Sequence, residues 1–108
     1  MIGSIDDING CVILPTYNNE KTLVKVLDGI IEYAKSRAVI VVNDGSTDAT
    51  EQLLVPYKNK VTLISYPSNK GKGYALRQGF KKAIELGYDA VITIDSDGQH
   101  FPDDIPNF

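Results

Sequence analysis

Asp95 and Asp97 stand one residue apart at the end of the apolar run Val91-Ile92-Thr93-Ile94, and Gln99 follows two residues later. Carboxylate and amide oxygens are hard ligands, suited to Mg2+ or Mn2+ rather than to a soft metal. Asp and Gly are equally the residues of an ordinary surface turn, so the pair needs support from elsewhere in the chain. Three other polar clusters supply it: Pro15-Thr16-Tyr17, Asp44-Gly45-Ser46 and Asn69-Lys70-Gly71-Lys72-Gly73. A divalent cation, a lysine-glycine loop and an acid and an aromatic on neighbouring loops together suit a nucleoside diphosphate group. In that picture Asp44 accepts from a base N–H and Tyr17 stacks or closes one wall. Structural roles compete: Asp44 in an Asx-turn, Tyr17 packed on a helix, Lys72 solvated.

Each cluster follows a short apolar run. Cys11-Val12-Ile13-Leu14, stopped by Pro15, reads as a first buried strand, and Ala38-Val39-Ile40-Val41-Val42 as a second. Val61 to Tyr66 and Asp89 to Ile94 read as a third and a fourth. Between the first two, Leu23, Val26, Leu27, Ile30, Ile31 and Ala34 recur at helical spacing, with a cap expected at Asn18 or Asn19. A short helix before Pro56 is expected to start at Ser46 or Asp48, the latter at capping-box spacing from Glu51. A long helix follows the lysine-glycine loop, with Leu76, Phe80, Ala83 and Ile84 as its buried side and Gly87 closing it. Strand-helix alternation of this kind predicts an α/β fold with a Rossmann-like, mainly parallel sheet and crossover helices on both faces. Every post-strand loop then falls on one edge, where open α/β sheets bind ligands.

The bulk properties narrow the field. At 108 residues the chain is one small domain, with 43% hydrophobic residues. Its net charge of −3 argues against a general nucleic-acid binder. Acidic residues are nonetheless missing from Gln52 to Ile84, where Lys58, Lys60, Lys70, Lys72, Arg77, Lys81 and Lys82 lie. Cys11, the sole cysteine, is expected in the core of a protein from a reducing compartment. No signal peptide and no apolar run of the ~18 residues needed to span a membrane is evident, so the expected location is cytoplasmic. A P-loop is absent, the dinucleotide fingerprint has Leu76 where its third glycine belongs, and an EF-hand would need glycine where His100 stands. His100 is the only histidine, which leaves no serine or cysteine nucleophile with a matched base.

Four blocks in order carry a resemblance: Val12 to Glu20, Val41 to Asp48, Asn69 to Gly73, and Asp95-Ser96-Asp97-Gly98-Gln99-His100. Together they resemble glycosyltransferase family 2, most closely its polyprenyl-phosphate branch (dolichyl-phosphate mannose or glucose synthase-like). The resemblance implies a GT-A fold, a UDP- or GDP-sugar donor and Mg2+ or Mn2+. It puts Pro15, Tyr17 and Glu20 by the nucleoside, Asp44 on the base and Asp95 by the ribose and sugar, with Asp97 and Gln99 on the metal; Lys72 joins this donor-binding set from the lysine-glycine loop. The implied reaction inverts the anomeric carbon, and the acceptor, in that branch, is a polyprenyl phosphate at the inner face of a membrane. Members of the family run well past this length, so residues 1–108 are expected to be the donor-binding part of a longer domain, natural or engineered. The catalytic base is expected beyond residue 108. Such a part would bind nucleotide weakly, transfer no sugar alone, and self-associate through an exposed fourth strand.

Two other readings use the same residues. Ile94-Asp95-Ser96-Asp97-Gly98 matches the motif of haloacid-dehalogenase-type phosphatases, with Asp95 as nucleophile and Asp97 as general acid/base, but it comes at the fourth strand and is followed by Gln99. A catalytically empty nucleotide-binding or scaffold domain is the other. A phospho-receiver domain would need an acidic pair after the first strand, where Pro15-Thr16-Tyr17 stands.

Overall fold

In the computed structural model, which describes residues 9–34 and 38–94, the apolar runs form one parallel sheet. The elements are β1 (Gly10–Thr16), α1 (Leu23–Ala34), β2 (Val39–Asp44), α2 (Thr50–Leu54) with a 3₁₀ turn at Val55–Tyr57, β3 (Thr62–Tyr66), α3 (Lys72–Glu85) and β4 (Ala90–Thr93). Strand order is β3-β2-β1-β4, with Val12 beside Val39 and Ile92, and Ile40 beside Thr62. The two central strands are buried along their whole length, which is why their sequences are unbroken apolar runs rather than alternating ones.

The chain steps from β1 to β2 to β3 in one direction and then returns to β4 on the far side of β1. With right-handed crossovers, that reversal puts α1 and α2 on one face and α3 on the other. Contacts agree: α1 touches α2, β1 and β2, while α3 lies across β2 and β1. The Tyr57 hydroxyl donates to Asp28 Oδ1 at 2.5 Å and ties the 3₁₀ turn to α1. Burial first, and the Asp28 carboxylate second, push the Tyr57 phenol up to about 12.

Several expectations need correction. Pro15 does not stop β1, which runs on to Thr16 in register with Val42 and Asn43 of β2. Val12 N–H donates toward β2, to Ala38 O, whereas Ile13 O accepts from the β4 side, from Ile94 N–H. Alternation then turns the nitrogen of Pro15 toward β4, beyond Ile13–Thr93, the last described pair of that ladder. No described ladder bond is lost, so the proline is accommodated in a central strand. The short helix does stop before Pro56, as expected, with Val55 as its C-cap, and a 3₁₀ turn follows with Pro56 in its first turn, where the missing N–H has no partner to lose.

On α3 the expected buried side is only partly right. Ala83 is buried, but Leu76 is half-buried, Phe80 is 40% exposed and Ile84 is 75% exposed. The stripe that meets the sheet is Ala75-Gly79-Ala83, one residue back along the helix. These small side chains let the helix axis come close: a Cβ on Gly79 would lie 2.5 Å from Ile13 Cγ2. Large apolar residues at i, i+4 and i+8 suggest a core face, but here close approach outweighs bulk.

The carboxyl edge as a candidate functional site

Because the strands are parallel, the turns after β1, β2 and β3 share the carboxyl edge of the sheet. The strand order reverses between β1 and β4, and a crevice at such a switch point is where open α/β sheets take ligands. β1 brings Pro15 and Thr16 to this crevice, and Ile94, held by Ile13, delivers the chain from β4. Asp95, Asp97, Gln99 and His100 lie outside the described residues.

The turns after β1 and β2 are laced together. Asn18, at φ +50°, accepts with Oδ1 from Thr47 N–H (2.7 Å) and Asp48 N–H (3.3 Å), and its own N–H donates to Ser46 Oγ (3.0 Å). Asn19 N–H donates to Thr50 Oγ1 (3.1 Å). Its side-chain oxygen faces back toward β1, accepting from Thr16 Oγ1 and Tyr17 N–H, while its carbonyl accepts from Thr22 and Leu23 at the start of α1. The asparagines expected to cap α1 therefore organise the edge of the sheet. Asp48 accepts from Thr50 N–H (2.9 Å) ahead of α2, but the N-cap position is Ala49 rather than Ser46 or Asp48, and the reciprocal partner of Asp48 is not Glu51. It is Glu20 from the other turn: Glu20 N–H donates to Asp48 Oδ2 (3.3 Å), and Glu20 Oε1 accepts from Ala49 N–H (3.3 Å). Partial desolvation works against ionisation of Asp48, yet the bonds from Thr50 and Glu20 prevail and hold its carboxyl below the ordinary value.

The turns after β2 and β3 meet at Asp44. Its carboxylate, 3% exposed, accepts from Lys70 N–H (2.8 Å), Gly71 N–H (3.0 Å) and Asn69 Nδ2 (2.8 Å). Asn69 Nδ2 also reaches the Asp44 carbonyl (3.2 Å). Gly45 is at φ +67°, and a Cβ there would fall 2.3 Å from Asn69 N. Behind this junction the buried Tyr66 hydroxyl has no hydrogen-bond partner among the described residues; burial first, then the Asp44 carboxylate, pushes its phenol well above the ordinary value. The Tyr66 ring meets Tyr74 edge to face at 5.3 Å, and Lys70 Nζ and Arg77 Cζ lie 5.6 and 5.9 Å from the Tyr74 centroid.

Of the residues singled out from sequence, Pro15 and Asp44 are buried, whereas Tyr17 (43%), Glu20 and Lys72 are exposed at the same edge. Gly45 and Asn69 stood inside the polar clusters and Asn18, Asn19 and Asp48 were expected only as helix caps, yet these residues set the geometry; the hydrogen bonds that cross between turns join positions 25 to 31 apart, as in Asn69 with Asp44 and Asn19 with Thr50. A cleft of about 270 Å3 is lined by Asn18, Asn19, Glu20, Lys21, Thr22 and Asp48. It is smaller than the roughly 300–1,000 Å3 of most ligand pockets and lacks Tyr17, Asp44 and Lys72, so we place the site at the switch point instead. Among the described residues no group of three or more His, Cys, Asp or Glu could hold a metal ion. Asp97 and Gln99, the metal ligands expected from sequence, lie outside the described residues; their oxygens are of the kind Mg2+ and Mn2+ take alongside phosphate oxygens and water.

Known proteins share this fold. The chain is 38% identical over 109 residues to the UDP-N-acetylglucosamine–dolichyl-phosphate N-acetylglucosaminyltransferase of Methanococcus voltae, a match covering 87% of this chain and 43% of that protein. The chain thus spans less than half the length of this relative. A mannosyltransferase from Pyrobaculum calidifontis, solved with GDP-Man and Mn2+, superposes with a TM-score of 0.70 at 29% identity, covering 82% of this chain and 27% of that one. Glucosyl-3-phosphoglycerate synthase from Mycobacterium tuberculosis, solved with Mn2+, UDP-glucose and phosphoglyceric acid, gives 0.73 at 29% identity, covering 94% and 38%. These folds confirm the GT-A type expected from sequence, and the phosphatase and receiver readings fall away. Residues 11–108 match the profile of Glycosyl transferase family 2, and the chain belongs to that family.

Proposed function

We propose that the protein is an inverting, metal-dependent glycosyltransferase that moves a sugar from a UDP- or GDP-sugar to a polyprenyl phosphate. The observation that supports this reading best is the convergence of three hydrogen-bonded turns on the carboxyl edge beside the β1/β4 switch point. The acceptor class follows the similarity to the dolichyl-phosphate enzyme. Transfer is assigned to the whole protein, and these residues supply the donor side. Among the described residues no helix is long and apolar enough to cross a membrane; the reading has the catalytic domain in the cytoplasm, meeting a lipid acceptor at the inner face of the membrane.

Pro15, Tyr17, Glu20 and Asp44 stand at the nucleoside end, with the exposed Tyr17 ring as the stacking wall. Lys72, first residue of α3, faces the diphosphate, and Asp95 the ribose and sugar. Asp97 and Gln99 would hold Mg2+ or Mn2+, which neutralises charge building on the leaving diphosphate. The acceptor oxygen attacks the anomeric carbon from the side opposite the diphosphate. The anomeric C–O bond to the diphosphate breaks with its electron pair, the nucleoside diphosphate departs, and the configuration inverts. An acceptor phosphate oxygen needs no base; an acceptor hydroxyl would require one beyond residue 108.

The test is thermal stability of the full-length protein with UDP or GDP, with and without Mn2+. At a hundredfold excess over Kd a specific nucleotide should add about 2.7 kcal/mol, which raises Tm. The gain should vanish when Mn2+ is chelated and in Asp97→Ala. Indifference to both nucleotides in Mn2+ would refute the reading.

A further inference from the structure

Charge divides the two faces of the sheet. On one face, α1 and α2 carry Asp28, Glu32 and Glu51 against Lys25 alone. On the other, α3 carries Lys72, Arg77, Lys81 and Lys82 against Glu85 alone. Lys82 Nζ lies 3.1 Å from Glu85 Oε1, so the one acid of α3 is already offset. Arg77 and Lys81 are exposed and have no carboxylate partner among the described residues. They stand two positions from the members of the Ala75-Gly79-Ala83 stripe, roughly 200° round the helix, and so point away from the sheet. Ile84, 75% exposed, shares their side of the helix, and Phe80, 40% exposed, stands one turn before it. Cations beside exposed aliphatic and aromatic side chains are the pattern of a helix that lies on an anionic bilayer.

We propose that the outer face of α3, centred on Arg77, Lys81 and Ile84, docks the protein on a membrane surface rich in anionic phospholipid. The proposal builds on the lipid-acceptor reading above, but needs neither donor nor metal to be tested. A nucleic acid would meet the same cations, yet it offers nothing to an exposed isoleucine, and the net charge of −3 opposes it. A bilayer takes both: headgroup phosphates meet Arg77 and Lys81, and Ile84 reaches the acyl boundary. α3 begins at the carboxyl edge, directly after the turn that carries Lys70 and Gly71. A helix lying on the headgroups therefore brings that edge to the level where the phosphate of a lipid acceptor sits. The more acidic helices α1 and α2, on the opposite face, are turned away from the membrane.

The test is co-sedimentation of the full-length protein with vesicles of phosphatidylcholine alone and of phosphatidylcholine mixed with phosphatidylglycerol. No nucleotide, Mn2+ or polyprenyl phosphate is present. Binding should favour the mixed vesicles and fall as salt rises. Arg77→Gln and Lys81→Gln should each weaken it about fivefold, the scale of one cation at an anionic surface, and flatten its salt dependence. Lys25→Gln removes the same charge from α1 and should change binding by less than about twofold. Ile84→Ser should weaken binding and leave the salt dependence as it was. All four positions are exposed, so the variants should fold, and their Tm values check it. Equal losses in Lys25→Gln and Arg77→Gln would overturn the proposal, because binding would then follow net charge. Equal binding to both kinds of vesicle would also overturn it, as would tighter binding to single-stranded RNA than to the mixed vesicles at the same salt. If Arg77→Gln and Lys81→Gln alter sedimentation of the protein alone and leave vesicle binding unchanged, the face belongs to a second copy and the proposal falls. Failure on vesicles leaves nucleotide binding untouched, and absence of nucleotide binding leaves the vesicle result untouched, so the two readings fail separately.

Discussion

Gly45 and Gly71 both have positive φ, but they differ in surroundings. At Gly45 a Cβ would meet backbone at 2.3 Å, whereas at Gly71 it would meet nothing within 4 Å. Gly71→Ala should therefore cost only the backbone strain, about 1 kcal/mol, and Gly45→Ala about 2 kcal/mol or more, because the turn after β3 must also move. Urea unfolding of the two variants would show the difference. Asp48 carries a prediction about acid. Its folded pKa lies below 3.8, so its contribution is present above that value and is lost as pH falls through the folded pKa. The tie between the first two turns should loosen as pH falls below about 4, seen as lower protection of the Glu20 and Thr50 amides relative to their intrinsic exchange rates at each pH. In Asp48→Asn that protection should be low throughout and vary less with pH.

α3 separates what bulk suggests from what packing requires. Its sheet-facing stripe is small because the helix rests on Ile13, so Gly79→Ala should cost about 1–3 kcal/mol through overpacking. Ile13→Ala, about 2–5 kcal/mol alone, should cost less in the Gly79→Ala background, since the added methyl enters the space the isoleucine leaves. A double-mutant cycle by chemical denaturation measures that coupling. The buried face of α1 was legible because Leu23, Val26, Leu27 and Ile30 are large and all face the same core. The face of α3 was not, because the informative residues there are an absence of side chain at 79 and two alanines.

The molecule as a whole leaves β4 paired on one side only among the described strands, and the exposed apolar residues of α3 lie on the flank that right-handed geometry turns toward β4. An open edge beside an apolar flank favours association between copies of the 108-residue chain. Sedimentation velocity at rising concentration should detect it. Ile84→Lys should reduce it while leaving Tm nearly unchanged, within about 0.5 kcal/mol of stability, because that side chain is 75% exposed.

Strand-helix alternation, the parallel sheet and the three described turns at its carboxyl edge were determined by the sequence, because hydrophobic periodicity and turn chemistry are local and crossover handedness leaves few topologies. So was the family, carried by four blocks from Val12 to His100. What only the tertiary structure decided is how the turns hold one another. Asp44 grips Lys70 and Gly71, and Asn18 grips Thr47 and Asp48, across gaps of 26 to 30 residues. A short polar side chain can bond its own turn or a distant one with the same atoms. Only the packing of β1, β2 and β3 side by side brings the distant donors within hydrogen-bond distance, 2.7 to 3.3 Å, and makes the second choice the better one.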